Sequence, residues 1–189
     1  MLERYGIVTR ESVLAEGVPG GFAALYGELS NLEILGTARR GYFVEGLGGA
    51  QFALAGAVER MRGMPHAGGE YLLLAATDPA NPYGASLPWP KRTEGRRPAR
   101  TAGAYVLLRD GEALIYVERG GKGIVRLTEL ARESLSEAIA ALADGAREGV
   151  VPKLGIERID SEPIIGSGLE ETLIEAGFSR QPRKLVASA

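Results

Sequence analysis

The sequence predicts an α+β protein, with an N-terminal winged helix followed by a second α+β module. Three observations carry that prediction. Two helix-like segments precede a strand, a glycine-rich tip and a returning strand over residues 39–54. Asp110-Gly111 lies between two β-rich runs, a strong hairpin signal. In the second half strands come in sequential pairs with helices beside them, not in βαβ alternation. The expected domains are a winged helix over 1–62, a linker over 63–70 and the second α+β module over 71–189.

Each element has a local reason. Thr9 can cap a helix with Ser12 three residues on, and Val13 and Leu14 supply its apolar face. Val18-Pro19-Gly20-Gly21 is a turn. Phe22, Leu25, Leu29 and Leu32 then recur at helical spacing, and Gly36 stops that helix. In a winged helix this is the recognition helix. Its outward residues, Tyr26 among them, would face the groove, and Gly20 and Gly21 would let the backbone approach phosphate. Gly46, Gly48 and Gly49 supply positive φ for the wing's reversal. Residues 54–61 form a short closing helix.

Beyond the linker, residues 71–76 read as a buried strand and 77–84 as a turn-dense loop. Residues 91–100 form a basic connector with five Lys or Arg against Glu94. Strands follow on both sides of Asp110-Gly111 and again at 124–127, after a turn at 119–123. Thr128 caps a helix over 130–147, with Ala131, Leu135, Ala138, Ile139 and Leu142 on its core face. A strand over 154–159, a helix over 168–176 stopped by Gly177, and an edge strand over 184–187 complete the chain.

Bulk composition narrows the function. The chain has 189 residues, 45% of them apolar, and a net charge of -2. It is not globally basic, so any nucleic-acid surface must be local. There is no cysteine, which excludes disulfides, zinc–thiolate sites and thiol nucleophiles. The lone histidine, His66, lies in a Gly/Pro-rich linker and reads as a solvated loop residue. No apolar run suits a membrane span, and no signal peptide opens the chain. The expected location is cytoplasmic, without membrane contact. The abrupt helical start suits a piece of something longer.

Arg39, Arg40 and Tyr42 at the wing fit phosphate contact with base or sugar stacking. Gly48 and Gly49 resemble a phosphate loop by glycine count, but no Walker Lys follows, and a hairpin tip explains them. A second candidate contact is the loop of Asp78, Asn81 and Tyr83 with Trp89, the only tryptophan, as a base-binding platform. Asp78 and Asn81 alone are also explained as turn locks. Arg119 and Lys122 flank a glycine turn and could touch a nucleic-acid backbone. Glu170-Glu171 and the pair Glu157 and Asp160 have no predicted base or metal partner, so no catalytic residue and no metal site are assigned.

Residues 39–53 resemble the C-terminal region of bacterial Lhr proteins, the large helicase-related group of superfamily 2. Residues 75–84 with Leu87-Pro88-Trp89-Pro90, and Val117-Glu118-Arg119-Gly120-Gly121, match in the same order. The resemblance implies a part of a longer ATP-dependent DNA helicase with a repair context. It also implies that the winged helix is followed by a β-barrel-like α+β module over 71–189, a layout similar to that of the AlkZ/YcaQ DNA glycosylases. ATP and Mg would serve the parent's motor, whose motifs are absent here, and this region would need no cofactor. Its partners would be single-stranded or forked DNA, the rest of the parent chain and, for an assembly role, a second copy. Carried over by position, Arg39, Arg40, Tyr42 and Gln51 would face DNA. The glycosylase Gln-x-Gln or Gln-x-Asp motif is not matched: Gln51 precedes Phe52-Ala53, and Gln181 precedes Pro182-Arg183. A DNA-binding accessory region is the leading expectation. A uracil or damaged-base glycosylase module and a protein-docking unit are the alternatives.

Overall fold

The computed structural model describes residues 1–64, 68–91 and 96–187. His66 and the centre of the basic connector lie outside the described residues. The chain divides into two units, one drawn from Met1–His66 and Ala85–Pro88, the other from Ala67–Gly84 and Trp89–Ala189.

The first unit runs α1 (Leu2–Tyr5), β1 (Ile7–Val8), α2 (Arg10–Ala15), α3 (Gly21–Ile34), β2 (Ala38–Gly41), β3 (Gln51–Leu54) and α4 (Ala55–Gly63). A reciprocal capping box starts α2: Ser12 N–H donates to Thr9 Oγ1 at 3.1 Å, and Thr9 N–H donates to Ser12 Oγ at 3.0 Å. Of the two apolar residues expected inside, Val13 is buried and Leu14 is 77% exposed. Gly36 ends α3 at φ 75°, where Thr37 N–H reaches back to the Leu32 carbonyl at 2.9 Å. That is the Schellman stop, and glycine takes the left-handed position at no steric cost. The strands form one antiparallel sheet in the order β1-β3-β2. Val8, Val13, Leu29, Ala38 and Phe52 form its core, with Phe22, Leu25 and Leu32 packed at the edge. This is a winged helix, with β2, the 42–50 loop and β3 as the wing.

The second unit runs β4 (Tyr71–Ala75), β5 (Tyr105–Arg109), β6 (Glu112–Val117), β7 (Gly123–Arg126), α5 (Arg132–Arg147), β8 (Leu154–Ile156), β9 (Arg158–Ile159), β10 (Glu162–Pro163), α6 (Glu170–Glu175), β11 (Ser179–Gln181) and β12 (Lys184–Ala187). A six-stranded sheet has the order β10-β9-β7-β6-β5-β4, and a three-stranded sheet has β11-β12-β8. All pairings are antiparallel except β7 with β9. Asp110 and Gly111 both have positive φ, 51° and 82°, the backbone a two-residue hairpin turn requires.

The protein is α+β, as predicted, but its sheets are open. Among the described residues β4 pairs only with β5 and β10 only with β9, so no barrel closes. One face of the larger sheet, with Leu107, Ile115, Val117 and Ile124, shares a core with Leu135, Ala138, Ile139 and Leu142 of α5. The opposite face, with Val106, Leu108, Tyr116 and Val125, is covered by Tyr83 and Trp89. Each such aliphatic side chain contributes about 1.5–3 kcal/mol by leaving water.

Local expectations shift in three places. Helix α5 starts at Arg132, not at Leu130, and Thr128 does not cap it. The Thr128 hydroxyl instead donates to the Ala113 carbonyl at 3.2 Å, tying the helix approach to β6. The run at 154–159 breaks at Glu157, which sends β8 and β9 into different sheets. β12 is the centre of its sheet, not an edge, because β11 and β8 flank it.

Candidate nucleic-acid interface

The wing is built from the strand register outward. Arg39 pairs with Ala53 and Arg40 with Phe52 across β2 and β3. Alternation puts Ala38 and Arg40 on one face of the strand and Arg39 on the other; Ala38 is buried, and both arginines are exposed at the sheet's edge. Their surroundings differ. Among the described residues Arg39 reaches Glu59 alone, at 3.5 Å, a solvent-exposed pair of little energetic weight. Arg40 is held on three sides. Its guanidinium binds the Glu33 carboxylate, donates to Tyr26 Oη at 2.9 Å, and lies over the Phe52 and Tyr26 rings at 5.6 and 5.9 Å. Arg39 is thus a cation available to a ligand, and Arg40 is bonded into the domain.

Tyr42, one residue beyond β2, is 87% exposed. The loop after it is braced from below by Gln51. That side chain accepts from Phe43 N–H and Val44 N–H, each at 2.8 Å, and donates to the Val44 carbonyl at 3.0 Å and the Leu47 carbonyl at 3.2 Å. Gln51 is fully buried, so it does not face DNA; its place is under the wing. Its four bonds satisfy both lone-pair directions and both amide protons, which a buried carboxamide needs. Gly46 and Gly49 take positive φ in the loop, 75° and 82°, whereas Gly48 does not.

Helix α3 contains no lysine or arginine; its charged residues are Glu28 and Glu33. Its solvent face carries Ala23, Ala24, Gly27, Glu28 and Asn31. It offers no cationic side chain to a phosphate backbone. Gly20, in the left-handed conformation, caps α3 without a side chain. Gly20, Gly21 and Tyr26 line a cavity of about 710 Å³ that also reaches Gly49 and Ala50 of the wing.

The second candidate loop is closed on itself. Asn81 is buried; its Nδ2 donates to the Ala76 carbonyl at 2.9 Å, and its Oδ1 accepts from Tyr83 N–H at 3.0 Å. Asp78 Oδ1 accepts from Ala80 N–H at 2.8 Å. Both are turn locks, and Asn81 has no surface to offer a base. Trp89 stacks on Tyr83 at 5.8 Å and meets Tyr116 edge-on at 5.5 Å. Tyr83 Oη donates to the Gly111 carbonyl at 2.9 Å. The aromatic pair is therefore a cover for the sheet, not an open platform. Arg119 is exposed, and Lys122 pairs with Glu157 at 3.6 Å, both apart from that loop's bonding.

Two features had no signal in the sequence. Arg100, which reads as one more basic residue in a connector, donates to four carbonyls: Asn81 at 2.6 Å, Thr77 at 3.2 Å, Asp78 at 3.3 Å and Tyr83 at 3.4 Å. Glu118 is buried beside β7, bonded to Arg158 and 3.7 Å from Arg96. Its partner lies 40 positions away, beyond any local pattern. Among the described residues no group of three His, Asp or Glu could hold a metal ion, and no helix is long and apolar enough to cross a membrane.

Comparison with known proteins places this architecture. Residues 1–72 match the winged-helix domain of large helicase-related proteins. Over 98% of its length the chain is 44% identical to an Lhr helicase and probable uracil glycosylase of Mycolicibacterium smegmatis. The chain matches a region of Lhr helicases over nearly all of its length. An Lhr helicase/uracil glycosylase of Escherichia coli is 36% identical, again over 98% of the chain. The chain spans only 13% and 12% of these relatives' lengths. It corresponds to a C-terminal Lhr region, as the resemblance implied. The Lhr blocks quoted from the sequence now have physical content: one is the Gln51-braced wing, another the Arg100-held loop.

Proposed function

We propose that this chain is a DNA-binding accessory region of an Lhr-type helicase and that it grips DNA through the wing. The observation that carries this reading is the pairing of an exposed Arg39 and Tyr42 with a loop fixed from beneath by Gln51. Arg39 contributes charge to phosphate, and Tyr42 contributes a ring to a base or sugar. A braced loop loses little conformational freedom on binding. With no cation on α3, the wing rather than the helix is the contact, which favours unpaired or forked DNA over a duplex major groove. ATP hydrolysis belongs to the parent's motor, and repair is the context in which the grip is used.

The relatives' names include uracil glycosylase activity. Hydrolysis of a glycosidic bond needs a group that activates water or stabilises the sugar cation, usually a carboxylate. No Asp or Glu lines the cavity of the winged-helix unit. We therefore assign the winged-helix unit the binding share of the work.

Fluorescence anisotropy of labelled single-stranded DNA, titrated with the 189-residue chain at several salt concentrations, tests the reading. Affinity should fall as salt rises, and Arg39→Ala should weaken binding and reduce the salt slope by about 1. Salt-insensitive binding, or an Arg39→Ala variant identical to the parent, would overturn it.

A further inference from the structure

The cavity of the winged-helix unit is not used by the wing contact just described. Its apolar walls come from Val18, Phe22 and Ala50, and Leu14 stands at its rim although 77% exposed. A large apolar side chain left in water beside an open cavity is the unusual feature, since scattered exposure elsewhere needs no explanation. Arg10, also in the lining, has no hydrogen bond or ion pair among the described residues. A Cβ built on Gly21 would meet nothing within 4 Å, so the space beside this lining residue is open. The volume, about 710 Å³, lies within the range of small-molecule sites.

We propose that this cavity is a nucleotide slot, taking one unpaired base between its apolar walls with the attached phosphate on Arg10. An apolar, aromatic-lined cleft with one unpaired cation suits a planar group carrying one negative charge. A nucleotide has that chemistry, and a strand in contact with Gly49 and Ala50 of the wing brings one to the opening. No carboxylate lines the walls, so the slot holds a base and does not cut its glycosidic bond. The strand-borne form of this proposal rests on the wing reading; the nucleotide slot itself does not.

The test uses two ligands with the 189-residue chain. The first is a single-stranded oligonucleotide with one central 2-aminopurine, whose fluorescence rises when the base leaves its neighbours. Binding should raise the fluorescence at least twofold. Ala23→Leu, which fills the slot from the exposed side of α3, and Arg10→Gln should each abolish that rise while anisotropy still reports a bound strand. The second ligand is deoxyadenosine monophosphate, followed by amide chemical shifts. Shifts confined to residues 10–26 and 49–50, and lost in both variants, are expected. If the strand binds with no change in 2-aminopurine fluorescence and the mononucleotide shifts nothing in the cavity, the slot is refuted and the wing reading stands. If the strand does not bind but the mononucleotide shifts the cavity residues, the wing reading fails and the slot is for free nucleotides. Thermal melting of each variant separates loss of fold from loss of ligand.

Discussion

Gln51 and Val44 hold each other at both ends: Val44 N–H donates to Gln51 Oε1 at 2.8 Å, and Gln51 Nε2 donates back to the Val44 carbonyl at 3.0 Å. The pair fixes the backbone just after the exposed Tyr42, so a buried side chain controls a surface one. Gln51→Leu keeps the volume but strands the Phe43 and Val44 amides. The expected cost is about 1–3 kcal/mol, from leaving half-buried donors without partners. Thermal unfolding followed by circular dichroism measures it, and DNA affinity should fall in the same variant.

The two wing arginines should separate. Arg39→Ala removes a loosely held cation, so DNA affinity falls and the melting temperature stays within about 1 °C. Arg40→Ala removes the bonds to Glu33 and Tyr26 and the packing over Phe52, so its melting temperature falls as well. Equal melting temperatures for the two variants would show that Arg40 is not a structural residue.

Adjacent glycines at the turn after β6 should differ sharply. Both have positive φ, 81° at Gly120 and 67° at Gly121. A Cβ at Gly120 meets nothing within 4 Å, whereas one at Gly121 would lie 2.5 Å from the Lys153 carbonyl oxygen. Gly120→Ala should cost about 1–2 kcal/mol for the left-handed backbone alone. Gly121→Ala adds a collision with main chain and should cost clearly more. Urea denaturation of the two variants makes the comparison.

At alkaline pH the cover over the sheet should loosen. Burial pushes the Tyr83 and Tyr116 hydroxyls above the ordinary tyrosine value of 10.0. A raised folded pKa means stability is intact below pH 10 and is lost as pH climbs toward the folded values, because the unfolded state ionises first. Trp89 stacks on one of these rings and abuts the other, so its fluorescence should change in that window and remain flat from pH 7 to 9.

How far the sequence reached depends on the range of the interactions involved. The winged helix, the Asp110-Gly111 hairpin and the Gly36 stop are local patterns, read in windows of a few residues. The barrel-like expectation failed because sheet closure depends on which edge strands meet, and pairing of β9 with β7 instead of β8 with it is set by a break at Glu157. Gln51 was placed on the DNA side by its position in the wing, but the 43–47 loop folds over it and takes all of its hydrogen bonds. Arg100 and Glu118 are tied to groups 17 to 40 positions away, where neither periodicity nor spacing carries a signal.

Arg100 has a consequence for how function in this region is mapped. Because one guanidinium gathers four carbonyls of the 77–83 loop, removing its charge unseats the loop and the tryptophan cover it supports. In a charge-removal screen for DNA contacts, such a variant would lose activity and be scored as a ligand-touching residue. Arg100→Lys, which keeps the charge but cannot span the four acceptors, would expose the error by failing just as badly.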